Sequence, residues 1–379
     1  MTNNIRNGLI ITLILALCLC TIGWADETSD ASSTDSQRTV TVTDMSGDTV
    51  TITGEVDRIV NLWPAGTSSF FVIGAGDKII GMASPGANQN VWAQYFYPGC
   101  MDIPGMGGTT PTIEEIINLD PDLVIIHPTT AAAGYAQQIR DVGIPAINIY
   151  FKDYETMSEA YVILGEVLGG EYQEKLNDWN MVTNDKIKNV RGLTSDLTDD
   201  ERPVVFYIAG QSESLTTTMA ENSIFSDWVE SAGGIYGTRL VPSAAGAVDN
   251  VEVTAEAIFD LDPDVFVIGG IWQHVLKNTV ETTDGWKELK PVINDRVYTN
   301  PYANFNWDRF GLESQLQISY ALMCIQPEIA AENGITRESM INEIIEFYEK
   351  YTNVTMTQQE AEYMLDGLGP DGKAEHPVE

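Results

Sequence analysis

The chain has 379 residues, enough for two domains with separate cores, and its 44% apolar content with eight Trp and fifteen Tyr excludes a disordered chain. Its 55 acidic residues against 20 basic ones give a formal net charge of −35. We therefore exclude nucleic acid as a partner, because phosphates require a basic surface, and we interpret the acidity as a well-solvated surface.

The N-terminal residues have the pattern of a secretory signal. An apolar run from Leu9 to Ile22 is followed by Gly23-Trp24-Ala25, which places small residues at the −3 and −1 positions of a cleavage site. An uncleaved anchor is the alternative, although the run is short for a membrane span. A lipoprotein signal is not favoured, because a leucine stands immediately before Cys18. We expect a signal peptide over residues 1–25, a flexible tether over 26–38, and a periplasmic or cell-surface protein, either free or tethered.

Alternating residues and short apolar runs define the first elements after the tether. In chain order we predict a hairpin over Thr39–Ile52, a strand over Arg58–Leu62, a helix through Phe70 with Thr67 as its cap, a strand over Ile79–Met82, and a long Gly/Pro/aromatic segment over Ser84–Gly108.

One stretch of the sequence is duplicated. Thr112–Ile126, TIEEIINLDPDLVII, returns 142 residues later as Thr254–Ile268, TAEAIFDLDPDVFVI. Each copy has a threonine where an N-cap is needed, apolar residues at helical spacing, and an Asp-Pro-Asp that ends the helix. Each then continues into an apolar run typical of a strand buried on both faces. The duplication predicts two similar lobes, and we assign Asp-Pro-Asp no role beyond ending the helix.

Helical and strand patterns continue almost to the end of the chain. After the first copy we predict a helix end over Ile139–Gly143, a strand over Ile144–Ile149, and a helical stretch from Glu155 to Arg191 that Gly169-Gly170 interrupts. Further on we predict a strand over Arg202–Phe206, a helix over Ile224–Ala232, an irregular loop over Val241–Val251, a strand at Val297-Tyr298, a loop over Asn300–Arg309, helices over Leu312–Cys324 and Arg337–Tyr351, a turn or two over Thr357–Leu365, and a frayed end over Gly367–Glu379.

Strands that alternate with helices in both halves predict an α/β fold of two doubly wound lobes with largely parallel sheets, joined by a long rigid helix. Ligands of such sheets sit beyond the carboxyl ends of the strands, so we expect a ligand cleft between the lobes. We place the N-terminal lobe at residues 39–153, the interlobe helix at 154–195, the C-terminal lobe at 196–352 and a tail at 353–379.

No catalytic motif is recognisable. The sequence has no GxSxG elbow, Walker A loop or HExxH, and its three histidines are His127, His274 and His376. Cys100 and Cys324 lack CxxC spacing and fall in different predicted lobes, so we expect two separate thiols. The sequence therefore supports neither an enzyme nor a resident metal or cofactor.

Aromatic and hydroxyl side chains cluster in the loops predicted at strand ends. Such side chains with one or two cations suit a bulky, partly apolar, anionic ligand. The same aromatics could instead fill the seam between the lobes, Arg309 could pair with Asp308 or Glu313, and His127 could be structural. The candidate ligand-binding residues are Trp63, Thr67, Ser84 and His127 in lobe one and Tyr207, Trp272, Tyr302, Trp307 and Arg309 in lobe two, with Gln211 and Phe305 nearby.

Glu114 and Glu256 occupy equivalent positions near the start of the two duplicated helices. A carboxylate there interacts favourably with the helix dipole, which by itself accounts for a glutamate. The neighbouring Glu115 is not kept in the second copy, where alanines flank Glu256.

With these motifs, the chain resembles the substrate-binding proteins of ABC importers that carry iron–siderophore, haem and cobalamin complexes. The resemblance runs from about Thr39 to Tyr351. It rests on the hairpin VTVTDMSGDTVTI, both copies of the ExIxxLxPDLVI pattern, the interlobe helix and NWDRFGLESQLQISYAL. The chain departs from the family at Gly54, where a proline is usual, and in a signal that lacks a lipobox.

The resemblance implies a rigid two-lobed protein, which we expect to be a monomer, with its ligand in the cleft. It also implies that one glutamate of each lobe docks onto arginines of a membrane permease dimer, and by position these are Glu114 and Glu256. The implied small-molecule ligand is a metal chelate of ferric siderophore type. A corrinoid is one alternative, and molybdate or tungstate is another, which would need Arg309, Thr67 and helix N-termini as donors.

Two other functional classes stay open: a metal-cluster or chelatase-like enzyme on a related fold, and a surface adhesin with an unused cleft. The sequence also leaves open the identity of the ligand, the form of the anchor and the glycosylation of Asn353.

Overall fold

The computed structural model describes residues 38–127, 134–247, 250–352 and 354–378. The predicted signal peptide, nearly all of the tether, and Asn353 lie outside the described residues. Within the described ranges, none of the helices combines the length and the apolar character needed to cross a membrane.

Lobe one consists of a hairpin and a four-stranded parallel sheet with helices around it. The hairpin pairs β1 (Thr39–Thr43) with β2 (Thr49–Thr53) in antiparallel register, which confirms the prediction. The sheet contains, in spatial order, β4 (Ile79–Met82), β3 (Ile59–Asn61), β5 (Leu123–Ile126) and β6 (Ala146–Asn148). The helices are α1 (Pro64–Ile73), α2 (Pro85–Asn88), α3 (Val91–Phe96), α4 (Ile113–Leu119) and α5 (Tyr135–Asp141).

The connection between the lobes is a pair of helices. α6 (Tyr154–Leu168) ends at Gly169, and α7 (Gly170–Thr194) starts immediately after it. Both glycines have positive φ, 68° and 52°, a conformation that glycine adopts at little cost, and the chain reverses there. The helical pattern and its interruption are confirmed, but the segment is a helical hairpin whose Tyr161 and Trp179 rings lie 4.8 Å apart.

Both helices of this hairpin run between the lobes. At the start of α6, Tyr154 N–H donates to Asp227 Oδ2 in lobe two at 3.0 Å, and further along it the Tyr161 hydroxyl shares a 2.6 Å hydrogen bond with Ser69 in α1 of lobe one.

The second helix, α7, makes the same connection in the opposite direction. Near its start, Lys175 Nζ donates to the carbonyl of Ile73 in lobe one, at 2.8 Å. Near its end, Arg191 forms an ion pair of 2.5 Å with Asp227 in lobe two. The long rigid connection is therefore the pair of helices α6 and α7.

Lobe two repeats the architecture of lobe one. Its parallel sheet contains, in spatial order, β12 (Val297–Thr299), β11 (Val265–Ile268), β7 (Val204–Ile208) and β9 (Ile235–Tyr236), and β8 (Thr217–Met219) pairs with β10 (Asn250–Glu252) in a separate antiparallel ribbon. Its helices are α8 (Ile224–Ser231), α9 (Ala255–Leu261), α10 (Gln273–Thr282), α11 (Lys290–Ile293), α12 (Ser314–Ile325), α13 (Pro327–Glu332), α14 (Arg337–Tyr351) and α15 (Gln358–Leu365).

The duplicated segments occupy the same place in both lobes. Thr112 and Thr254 cap α4 and α9 by accepting a hydrogen bond from the third helical N–H, and β5 and β11 are buried along their whole length. β3, β4, β5 and β6 correspond to β7, β9, β11 and β12, because the strand order is the same in both sheets. The prediction of two similar α/β lobes is confirmed.

The second aspartate of each Asp-Pro-Asp joins the helix-strand unit to the neighbouring central strand. The Asp122 carboxylate accepts hydrogen bonds from the backbone N–H groups of Asp57 and Arg58, both at 2.9 Å. The Asp264 carboxylate accepts one from Val204 N–H at 2.8 Å. These bonds fix the start of β3 and β7, so the interpretation that Asp-Pro-Asp only ends the helix is wrong.

Three local predictions need correction. Thr67 does not cap α1, because Pro64 with its fixed φ already starts the helix, with Trp63 at the N-cap. The Ser84–Gly108 segment contains α2, α3 and a 3-10 turn at Pro98–Asp102. The loop predicted over Val241–Val251 runs into β10, which pairs with β8.

The chain after α15 is ordered up to Val378, so the prediction of a frayed end is wrong for the residues that the structure describes. Leu368 N–H donates to Tyr363 O at 2.8 Å and Gly369 N–H donates to Lys373 O at 2.8 Å. Ring and polar contacts hold this segment, and such contacts leave no apolar periodicity in the sequence.

A single hydrophobic core extends through both lobes. It includes alternate residues of both sheets, such as Leu123 and Val265, together with the buried faces of α6, α7 and α12. Two smaller clusters cover the opposite face of each sheet, which confirms the doubly wound arrangement. Cys100 and Cys324 are separate buried thiols, as predicted, and burial raises the pKa of Cys324 to about 12.

Candidate functional site

A cavity of about 310 Å³ lies between the lobes, beyond the carboxyl ends of their strands. Gly86 and Asn90 of lobe one form one side, and lobe two contributes residues that follow β7, β11 and β12. The position agrees with the rule that ligands of open α/β sheets bind at strand carboxyl ends. The lining residues are Gly86, Asn90, Gln211, Ile271, Tyr302, Phe305, Asn306, Arg309 and Glu375.

The loop after β12 supplies four of the nine lining residues and is fixed to both lobes. The Asn304 side-chain amide donates to the backbone carbonyl of Ser68 in α1 at 2.6 Å. The backbone carbonyl of Asn304 accepts a hydrogen bond from Asn90 Nδ2 at 2.9 Å. Gln317 of α12 donates to Asn300 Oδ1 at 2.9 Å. Because these contacts are buried, the side chains that the loop directs into the cavity are held on a rigid support.

Arg309 carries the positive charge of the cavity, and its guanidinium is already occupied. Nε donates to Asp308 Oδ1 at 2.7 Å and Nη2 donates to the Tyr207 hydroxyl at 3.0 Å. With the Gln211 amide oriented by its surroundings, its oxygen accepts from Nη1 at 2.8 Å and from Nη2 at 3.2 Å. Burial opposes the charge, but Asp308 and Tyr207 outweigh it and raise the pKa of Arg309.

Asp308 is fully buried, does not line the cavity, and neutralises Arg309 through an ion pair. Its Oδ2 accepts a 2.6 Å hydrogen bond from the Tyr207 hydroxyl. Gly269 leaves room for this pair, since a Cβ there would lie about 2.1 Å from the hydroxyl oxygen and 2.2 Å from Asp308 Oδ2. The pair of charges is therefore balanced, and Arg309 presents little free charge to a ligand.

Glu375 brings a carboxylate to the cavity from the C-terminal segment. Its Oε2 accepts a 2.9 Å hydrogen bond from the hydroxyl of Tyr302. Tyr302 is 7% exposed, and burial followed by the Glu375 charge raises its pKa, so it remains a neutral donor. Among the described residues that line the cavity, Glu375 is the carboxylate and Arg309 the cation.

Of the predicted ligand-binding residues, Tyr302 and Arg309 line the cavity, as does the nearby Phe305. Trp63, Thr67 and Trp307 have exposures of 3%, 0% and 0% and belong to the core. For the two tryptophans the alternative of seam-filling side chains describes what the structure shows.

The other predicted residues lie around the cavity. Tyr207 is fully buried behind Arg309, and Ser84 is exposed at the N-cap of α2. His127 is half-buried after β5, with its ring 5.7 Å from the Tyr150 ring. Trp272 is half-buried after β11 and stacks on His376, and the ring centroids are 3.8 Å apart.

Five residues that line the cavity were not among the ligand-binding residues predicted from the sequence. Asn306 stands in the same predicted loop as Tyr302 and Arg309, and this shared loop was the available signal. Asn90 caps α3 with its side-chain oxygen and uses the amide nitrogen across the seam, so no local pattern indicates it. The missed residues are Gly86, Asn90, Ile271, Asn306 and Glu375.

A second depression, of about 640 Å³, lies among α6, α7 and α8. It is larger but open, and its arginines are already in ion pairs, Arg191 with Asp227 and Arg239 with Glu230. Because these charges satisfy each other on the surface, we regard the interlobe cavity as the better candidate site. The described residues contain no cluster of three or more His, Cys, Asp or Glu that could hold a metal ion.

Glu114 and Glu256 occupy the second position of α4 and α9, and both are exposed. Neither forms an ion pair with any described residue. Glu115, by contrast, completes a capping box with Thr112, which accounts for it locally. A helix that precedes a parallel strand runs opposite to it, so both glutamates lie at the strand carboxyl ends, on the rims of the cleft.

Comparisons with known proteins agree with this geometry. A family model described as periplasmic binding protein matches residues 59–303, which is more than half of the chain. The ABC transporter substrate-binding lipoprotein YvrC of Bacillus subtilis is 28% identical over 303 residues, which cover 77% of this chain and 89% of that protein. A cobalamin-binding protein of Halobacterium salinarum is 24% identical over 234 residues, 61% of this chain and 58% of that protein.

The fold has been seen before in solved structures. A periplasmic solute binding protein from Veillonella parvula has a TM-score of 0.73 at 21% identity, covering 88% of this chain and 99% of that one. The family description, the substrate-binding lipoprotein and the periplasmic solute binding protein agree with the predicted location outside the cytoplasm. The chain belongs to the periplasmic binding protein family and is a substrate-binding protein of an ABC transporter.

Proposed function

We propose that the protein captures a neutral or cationic metal chelate, of ferric siderophore type, in the interlobe cavity and delivers it to the membrane permease. The observation that carries this proposal is the charge in the cavity: Arg309 is bound to Asp308, whereas the Glu375 carboxylate faces the cavity. The rings of Tyr302 and Phe305 add apolar faces. Such a wall favours a partly apolar ligand without strong negative charge.

The same arrangement disfavours molybdate and tungstate. An oxyanion needs free donors, but Arg309 already donates to Asp308 and to the Tyr207 hydroxyl. Thr67, the other donor predicted for this role, is fully buried in α1 and does not line the cavity. An oxyanion in the cavity would also lie near the Glu375 carboxylate, and like charges repel.

A corrinoid is the second candidate, and the Halobacterium relative that is described as a cobalamin-binding protein favours it. The amide-rich rim of a corrinoid could exchange hydrogen bonds with Asn90 and Asn306. The cavity of about 310 Å³ is at the lower end for small-molecule sites, which span roughly 300–1,000 Å³. A corrinoid would therefore need the wall to move further than a compact iron chelate would.

A thermal-shift panel tests the ligand class. The melting temperature is measured with cationic, neutral and anionic ferric siderophores, aquocobalamin, haem, molybdate and tungstate, each at the same concentration. A ligand at 100 times its Kd stabilises the folded protein by about 2.7 kcal/mol, which raises the melting temperature by several degrees.

We expect a neutral or cationic ferric chelate to raise the melting temperature, and the iron-free siderophore to be the matched control without effect. A shift with the cobalamin alone would select the second candidate. A shift with molybdate or tungstate alone would contradict the proposed ligand class.

A further inference from the structure

The residues after α15 cross the seam between the lobes at the mouth of the cavity. We call Gly367–Val378 the strap. Gly367 has φ of 70°, and its carbonyl accepts a 3.1 Å hydrogen bond from His274 Nε2 of lobe two. The next carbonyl, of Leu368, accepts a 2.8 Å hydrogen bond from Trp92 Nε1 of lobe one. The start of the strap is thus bound to both lobes.

The far end of the strap returns to lobe two. A turn closed by the 2.8 Å hydrogen bond from Gly369 N–H to Lys373 O reverses its direction. The His376 ring then stacks on Trp272 with 3.8 Å between centroids and 3° between planes. This stack, one residue after Glu375, holds the Glu375 side chain against Tyr302, whose hydroxyl donates to it.

Glu375 is the carboxylate of the cavity wall, and a segment outside both sheets supplies it. Because Asp308 already neutralises Arg309, the Glu375 charge is not balanced by any other described residue of the wall. A ligand group with a positive charge or an N–H or O–H donor would interact favourably with it, and an anionic group would not.

We propose that the strap is the outer wall of the ligand cavity and that Glu375 is a ligand-facing residue that selects for cationic or hydrogen-bond-donating groups. The role of Glu375 toward a ligand rests on the proposed function. The negative electrostatic potential that its carboxylate creates inside the cavity does not depend on that function. Because Glu375 lines the cavity and the neighbouring His376 anchors the strap on Trp272, we expect the strap to limit access to the cavity.

A cysteine placed in the cavity tests the wall without any ligand. Asn306→Cys is labelled with a cationic and with an anionic methanethiosulfonate of similar size, and the two rates are compared. The unsubstituted chain reports the labelling of native cysteines, of which Cys100 and Cys324 are buried. Adding Glu375→Gln should lower the ratio of cationic to anionic rate by about three- to tenfold, the effect of one nearby partly solvated charge.

The matched control is Asp371→Asn, which removes the same charge from the same strap. The Asp371 carboxylate is bound to Lys373 at 2.8 Å and does not line the cavity, so its removal should leave the ratio unchanged. His376→Ala, which removes the stack on Trp272, should raise both rates together by releasing the strap. If Glu375→Gln leaves the ratio unchanged, or if His376→Ala leaves both rates unchanged, the proposal is overturned.

A second experiment separates this proposal from the proposed function. Affinities are measured for ferrioxamine B, which carries an ammonium group, and for its N-acetyl and N-succinyl derivatives, which are neutral and anionic. We expect Glu375→Gln to weaken the ammonium ligand by about three- to tenfold and to change the N-acetyl ligand little. Equal effects on all three ligands would overturn the selectivity. If none of them binds the unsubstituted protein, the chelate is wrong and the labelling ratio alone decides the role of the strap.

Discussion

Glu313 is a buried carboxyl group at the start of α12, outside the cavity wall. Its side chain is fully buried, Oε1 accepts a 3.3 Å hydrogen bond from Tyr348, and Oε2 has no partner among the described residues. Burial raises the pKa of Glu313 to about 7, which the hydrogen bonds to it only partly offset. The folded protein therefore holds the proton of Glu313 at a pH where the unfolded chain has released it.

The raised pKa of Glu313 makes a prediction about stability and pH. In the unfolded chain the group titrates near 4.5, so between pH 4.5 and 7 the folded state binds more protons and its stability falls as the pH rises. This difference in pKa between the folded and unfolded states lowers the free energy of unfolding by about 3 kcal/mol above pH 7. Glu313→Gln keeps the shape and cannot ionise, so it should gain about 3 kcal/mol relative to the unsubstituted protein between pH 4.5 and pH 8.

Urea unfolding at a series of pH values measures this difference. Glu328→Gln, an exposed glutamate at the start of α13, is the matched control and should show a constant difference from the unsubstituted protein. A Glu313→Gln difference that does not vary with pH would show that folding does not raise the pKa of Glu313.

At the scale of helices and strands, the duplicated segment could be predicted almost completely from the sequence. Thr112 and Thr254 cap their helices, and both strands are buried, because these features follow from local propensity and apolar period. The start of α1 could not be predicted from local propensity. Pro64 and Thr67 are both typical of a helix start, and the structure begins the helix at Pro64 with Trp63 as its N-cap.

The candidate site could be predicted only in part, because its geometry depends on contacts distant in sequence. Tyr302 and Arg309 follow a recognisable strand, and their loop was identified. Glu375 reaches the cavity through a ring stack and a hydrogen bond to residues more than 70 positions away. Neither contact has a local periodicity, and so its segment was expected to be frayed.

The two aspartates that immediately precede β5 and β11 should differ in their contribution to stability. Asp122 accepts two backbone hydrogen bonds at the start of β3, and Asp264 accepts one at the start of β7. A typical intramolecular hydrogen bond contributes about 0.5–1.5 kcal/mol net, and we take about 1 kcal/mol for each of these bonds because both carboxylates are partly exposed. We expect Asp122→Ala to lower the free energy of unfolding by about 2 kcal/mol and Asp264→Ala by about 1 kcal/mol.

Urea unfolding measures both losses, and amide hydrogen exchange at Arg58 and Val204 locates them. The exposed Asp371→Asn variant is the control and should cost little. Equal losses at Asp122 and Asp264 would mean that the second of the two hydrogen bonds accepted by Asp122 contributes nothing to stability.

At the scale of the whole molecule, the lobes form one body with two equivalent projections. The continuous core through α6, α7 and α12 joins the lobes, and the Asn304 contacts join them again at the cavity. Glu114 and Glu256 project from equivalent helices on opposite sides of the cleft. Two carboxylates at a fixed separation suit a permease dimer with near two-fold symmetry, because each can meet an equivalent cationic residue.

We therefore predict that Glu114→Ala with Glu256→Ala abolishes ligand uptake by cells or vesicles that contain the cognate transporter, while the ligand affinity of the purified protein stays unchanged. Each carboxylate also interacts with a helix dipole, worth about 0.3–1 kcal/mol, so a loss of folding must be excluded. Glu328→Ala with Glu338→Ala removes two exposed glutamates from the same second position of α13 and α14 and is the matched control. Uptake should persist in the control, and either single variant should retain part of it because one docking contact remains. Full uptake by the Glu114/Glu256 double variant would show that the permease recognises another surface of the protein.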